Sequence, residues 1–76
     1  MRLELYGIAR LRAGRPALDV DAASVGEALE ALRRACPGLD PGHLLLSLNG
    51  ERFVSDPALR LAPGDTLVVL NAEAGG

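Results

Sequence analysis

The chain opens on alternation. Met1, Leu3 and Leu5 are interleaved with Arg2, Glu4 and Tyr6, the period of two that a half-buried strand shows, so Leu3 and Leu5 are assigned to a core. From Gly7 to Pro16 the pattern lapses: Gly7, Gly14 and Pro16 with Arg10, Arg12 and Arg15 between them suit a connection rather than an element. Alternation resumes where Leu18 and Val20 stand against Asp19 and Asp21, which predicts a second strand forming a hairpin with the first. At Ser24 the period changes. Glu27 follows three residues on, the spacing of a capping box, and Val25, Ala28, Leu29, Leu32 and Cys36 then share one helical face. Glu27 and Glu30 towards the start and Arg33 and Arg34 towards the end suit the helix dipole, and Pro37-Gly38 stops the helix.

The second half reads as strands. His43 to Leu48 is apolar but too short for a helix, and Asn49-Gly50 supplies both residues that a type I′ turn holds at positive φ, so a strand through Phe53 and Val54 follows. Asp56-Pro57 and Pro63-Gly64-Asp65 bracket a turn-rich stretch with Leu59 and Leu61 as plugs, and Thr66 to Leu70 is the last strand. The order strand, strand, helix, strand, strand, strand gives one main helix to cover one face of one sheet. The expected class is α+β, a mixed five-stranded sheet in the β-grasp, or ubiquitin-like, roll. Its domain is 1–70, and 71–76 form a tail. Within the last strand, Leu67 and Val69 are assigned to the covered face. Val68 and Leu70, joined by Leu45, are then left as an exposed apolar patch leading into the tail. A homodimer or a long loop is the other way to cover them.

Composition narrows the chemistry. Seventy-six residues support one small core, and with a single cysteine, Cys36, neither an internal disulfide nor a cysteine-built zinc site is expected to hold it together. The absence of a disulfide suits a reducing compartment. The N-terminus lacks the pattern of a leader, and no run approaches the length that spans a bilayer, so the expected setting is cytoplasmic, with no membrane partner. A net charge of −2 with both signs interspersed and only two aromatics, Tyr6 and Phe53, argues against nucleic acid. All eight basic residues are arginine, most simply a compositional bias.

No active site is legible. Cys36 lies on the apolar helix face at the C-terminal end, where the dipole disfavours a thiolate, so it reads as a packing residue. His43 has no partner at ligand spacing and reads as a loop residue. Glu27 and Glu30 fit capping and dipole roles better than acid/base work. The expectation is no resident cofactor and no metal.

The stretches YGIARLRAG, SVGEALEALRRACPG, LNGERFV, PGDTLVVL and the closing AGG, in that order, resemble the ubiquitin-like sulfur carriers, most closely the small subunit of molybdopterin synthase (MoaD type, MoaD/ThiS superfamily). Many members carry a proline in the tail where this chain has Asn71, Ala72 and Glu73. The resemblance implies a carrier that is not catalytic alone. Its C-terminal Gly76 is adenylated by an ATP-dependent activating enzyme, converted to a thiocarboxylate with sulfur from a cysteine desulfurase or another donor, and inserted into the large molybdopterin synthase subunit. ATP is used by the activating partner. The resemblance leaves open delivery to thiamin, to a tRNA base or to an amino acid, and use as a protein modifier. A plain interaction module with an inert tail is the remaining reading.

Physical chemistry agrees with that use of the tail. An α-carboxylate is an anion at neutral pH and resists nucleophiles until activated. Gly75 and Gly76 lack a Cβ and can enter a narrow channel. Six residues beyond Leu70 reach roughly 20 Å when extended. Ordering each costs about 1–2 kcal/mol, which docking of the folded surface must offset. Leu45, Val68, Leu70, Asn71, Ala72, Glu73, Ala74 and Gly75 are the residues assigned to partner binding, and Gly76 is the reacting residue.

Overall fold

The computed structural model describes residues 1–39, 42 and 44–71. Its elements are β1 (Arg2–Leu5), α1 (Gly7–Ala13), β2 (Ala17–Asp19), α2 (Val25–Ala35), β3 (Leu44–Leu48), β4 (Arg52–Val54) and β5 (Thr66–Asn71). The strands form one mixed sheet in the order β2-β1-β5-β3-β4. β1 and β5 are parallel neighbours, Leu3 opposite Leu67 and Leu5 opposite Val69. β5 also pairs antiparallel with β3, with Leu46 opposite Val69 and Leu48 opposite Leu67. This is the β-grasp roll.

The alternation of the outer sequence becomes the two faces of this sheet. Leu3, Leu5, Leu46, Leu67 and Val69 are buried with Val25, Ala28, Leu32 and Cys36 of the α2 side. Leu67, Val69, Val25 and Ala28 have no exposed surface. Burying a leucine or valine side chain contributes about 1.5–3 kcal/mol, so this aliphatic layer is the main source of stability. Cys36 is buried at the C-cap of α2, a packing position.

The helix α2 begins where the capping pattern places it. The Glu27 N–H donates to Ser24 Oγ at 3.2 Å. The return bond is displaced by one residue: Glu27 Oε1 accepts from the Ala23 N–H at 3.3 Å. Arg33 Nε donates to Glu30 at 3.1 Å one turn later, and this guanidinium holds the Glu30 carboxyl below the usual range. The 55–61 segment docks on the start of α2, with the Val25 N–H on the Leu59 carbonyl and the Leu61 N–H on that of Ala23. Leu61 is buried and Leu59 partly so, as plugs should be. Asn49 and Gly50 adopt φ of 54° and 70°, the turn read from their identity.

Two boundaries differ from the sequence reading. The segment expected to be a plain connection forms the helix α1 over Gly7–Ala13. Tyr6 precedes it with no side-chain capping bond, so no start signal exists. The helix is held instead by Ala9, which is fully buried, and Ala13, one turn later, which packs on the core. Gly14 ends it at φ 73°, a left-handed position that favours glycine. At the other end, β5 continues one residue further than predicted, because Asn71 pairs with Leu44.

Candidate docking face and the root of the tail

With α2 and the core on one side of the sheet, the other side is open. Cross-strand register sorts the residues on it: Leu45 lies opposite Leu70, and Val68 lies between Glu4 and Ser47, with Phe53 beyond Ser47 on β4. Leu45 is 45% exposed and Phe53 69% exposed, while Val68 and Leu70 are half-buried by their neighbours. The three residues predicted to form an apolar patch, Leu45, Val68 and Leu70, are thus brought together on the uncovered face. Phe53 extends the patch to the edge strand, and a shallow hollow lined by Leu44, Leu45, Leu46, Phe53, Val54 and Ser55 opens beside it. Sequence reasoning missed Phe53 as a surface residue. Its position opposite Ser47, one residue off the core-facing Val54, is the alternation that identifies it.

Asn71 falls on the other side, in phase with Leu67 and Val69, and is half-buried. It closes β5 rather than extending the patch. Ala72, Glu73, Ala74, Gly75 and Gly76 lie outside the described residues, as does His43. β5 is paired on both sides as far as Val69 and with β3 alone at Leu70 and Asn71, so its last described residue is held by one ladder of backbone hydrogen bonds. Its entry is fixed as well. The Thr66 N–H donates to Asn49 Oδ1 at 2.8 Å, and Asn49 Nδ2 donates to Asp65 at 3.2 Å. The Ala62 N–H donates to the other Asp65 oxygen at 2.8 Å. These donors hold the Asp65 carboxyl below the usual carboxylate range.

The polar part of the open face is small. Glu4 accepts from Arg2 Nε at 3.1 Å and from the Tyr6 hydroxyl at 3.0 Å, and that carboxylate pushes the Tyr6 phenol above its ordinary pKa. Among the described residues no three His, Cys, Asp or Glu side chains come together to hold a metal, and no helix is long and apolar enough to cross a membrane. The face offers shape and apolar surface. It can hold another protein and aim the end of β5 at it.

The fold and this face define a small ubiquitin-like protein that presents one apolar sheet surface. No protein-family profile matches the chain, and no curated protein sequence does. Solved structures do. SAMP1 from Haloferax volcanii is 28% identical with a TM-score of 0.80, the match covering 99% of this chain and 97% of that one. The small archaeal modifier protein 1 from Methanosarcina acetivorans has a TM-score of 0.82 at 21% identity over 99% and 94%. A chain in the complex of subunits 1 and 2 of the molybdopterin-converting factor from Helicobacter pylori has a TM-score of 0.70 at 21% identity over 99% and 96%. At 21% identity the last two speak to fold alone. The likeness to SAMP1 supports placing the chain with the MoaD/ThiS superfamily of ubiquitin-like proteins.

Proposed function

We propose that the chain is a sulfur carrier that delivers a thiocarboxylate on Gly76 for molybdopterin biosynthesis, as the small subunit of a molybdopterin synthase. The observation that carries this reading is that the open apolar patch includes Val68 and Leu70 of β5, the strand that immediately precedes the Gly75-Gly76 tail in the sequence. Leu45, Val68 and Leu70 dock on the large subunit, and residues 72–75 thread the reacting end into it. A chain of the same fold is found in complex with a second subunit in the Helicobacter pylori molybdopterin-converting factor, the kind of partnership proposed here.

The chemistry runs on the partner enzymes. The Gly76 carboxylate attacks the α-phosphorus of ATP, pyrophosphate leaves, and an acyl adenylate forms. Hydrosulfide then adds to the acyl carbon, AMP leaves, and a thiocarboxylate remains. A persulfide from a desulfurase delivers the same atom, and a second thiol then breaks the S–S bond. The chain itself supplies only the carboxyl group and the surface that positions it.

Sulfur transfer to a pterin precursor, measured with the thiocarboxylated chain and a large synthase subunit, tests the assignment of the acceptor. Product formation stoichiometric with the chain supports it, whereas transfer only to thiamin precursors, a tRNA base or an amino acid moves the chain to one of those routes. A second reading is favoured by the 28% identity to SAMP1, whose name is that of a protein modifier. It predicts proteins carrying the chain through Gly76 on lysine side chains, which peptide mass spectrometry detects after tryptic digestion as lysines bearing residues 61–76, because Arg60 is the last tryptic site.

A further inference from the structure

The arginines of the Gly7–Pro16 segment have no part in the sulfur-carrier reading. Arg10, Arg12 and Arg15 are exposed, and positions 6–18 contain no carboxylate, whereas the rest of the chain has five arginines against ten acidic residues. Among the described residues, the side chains of Arg10 and Arg15 make no hydrogen bond or ion pair. Between them stands Leu11, 79% exposed, and one turn before it Ile8, 38% exposed. Ala9 and Ala13 hold the opposite side of α1 against the core. Two large apolar side chains and the Arg10 guanidinium are therefore held together on an ordered helix, with Arg15 one residue past its Gly14 cap.

The topology places this patch at the root of the tail. Leu5 pairs with Val69, and the Tyr6 N–H donates to the Val69 carbonyl at 3.1 Å. α1 begins at the next residue and packs against β5, so it borders the point where Asn71 ends that strand.

We propose that the surface formed by Ile8, Arg10 and Leu11 of α1, with Arg15 just past its Gly14 cap, is a second docking surface, and that its occupant is an acid-rimmed apolar recess on the ATP-dependent enzyme that activates the tail. The inference rests on the sulfur-carrier reading. Bringing the Gly76 carboxylate to ATP moves an anion toward a polyphosphate that repels it. Cations at the root of the tail, facing carboxylates around the enzyme's channel, offset that repulsion and speed productive encounter. A protein occupant is favoured over nucleic acid because the side chains interleaved with the arginines are aliphatic, while single-strand binding relies on stacking aromatics. The nearby aromatic, Tyr6, has its hydroxyl tied to Glu4.

The test is kinetic. Pyrophosphate release by the activating enzyme, with ATP and hydrosulfide, is followed against concentration of the full chain and of three variants: Arg10→Glu/Arg15→Glu, Arg10→Gln/Arg15→Gln and Leu11→Ser. The charge reversal is expected to raise KM for the chain about tenfold with kcat unchanged, and neutralisation about threefold. The wild-type KM should rise with salt and the neutralised variant's should not, while Leu11→Ser raises KM at every salt concentration. Unchanged KM in the neutralised variant, whose fold is confirmed by circular dichroism, overturns the proposal. So does tight binding of a single-stranded RNA oligonucleotide that the variant loses while its KM stays the same. Absence of pyrophosphate release from the wild-type chain instead defeats the sulfur-carrier reading on which the proposal stands.

Discussion

Leu67 and Val68 are adjacent in β5 and opposite in consequence. Leu67 has no exposed surface and sits between Leu3 and Leu48 in the sheet, while Val68 sits half-buried on the open face between Glu4 and Ser47. Truncating a fully buried leucine to alanine costs about 2–5 kcal/mol, the spread reflecting how far the site collapses around the cavity. A domain of this size has a total stability of roughly 4–11 kcal/mol at the usual per-residue value. Leu67→Ala therefore removes about half of it. With about 4–8 °C lost per kcal/mol in small domains, the melting temperature should fall by roughly 8–40 °C. Val68→Ala removes less apolar area from an already hydrated face and should cost about 1 kcal/mol or less. Urea unfolding followed by far-UV circular dichroism measures both, since the chain lacks tryptophan. Equal losses for the two variants would refute the assignment of faces on which the docking surface depends.

The other predictions concern the face, the helix cap and the strand entry. Leu45→Ala/Leu70→Ala should leave the fold cooperative yet weaken affinity for the large synthase subunit about 10- to 100-fold in calorimetric titration, the range for two central apolar contacts. Unaltered affinity would remove these residues from the interface. Ser24→Ala removes the acceptor of the Glu27 N–H and should cost about 1 kcal/mol, read as a lower urea midpoint with the same slope. Asp65, whose folded-state pKa is depressed by its two donors, stabilises the fold above the ordinary carboxylate pKa, and that contribution is lost as pH falls through the depressed value. Asp65→Asn should therefore flatten the acid limb of stability against pH, and an unchanged limb would mean that the bonds from the Ala62 N–H and Asn49 to Asp65 are not maintained in solution.

The sequence made the sheet legible because its face residues alternate and its turns carry their own chemistry. Leu3, Leu5, Leu67 and Val69 could be assigned inward from a period of two, and Asn49-Gly50 from the need for two positive φ values. The capping pair at Ser24 and Glu27 did the same for α2. α1 was hidden for a physical reason: glycines at both ends and three arginines look like a loop, and the inward contacts that stabilise the helix come from Ala9 and Ala13, small residues that leave no hydrophobic stripe. Leu11 compounds this, since a helix whose largest apolar side chain points outward has its amphipathic signal reversed. The same helix supplies the second surface, so the element hardest to read carries a functional proposal. Leu45, Val68 and Leu70 were found because a sheet with one helical layer must leave one face open. Phe53 was given a strand but no face, because three residues show too little alternation to fix the phase until pairing with Ser47 does so.

The central claim is that the chain acts through the carboxyl group of Gly76. Intact-mass spectrometry after incubation with the activating enzyme, ATP and hydrosulfide tests it most directly. The account predicts a gain equal to replacement of one oxygen by sulfur, located on the C-terminal peptide, dependent on ATP and abolished by deletion of Gly76. A gain that survives this deletion, or an unchanged mass when the same enzyme thiocarboxylates another carrier, would contradict it.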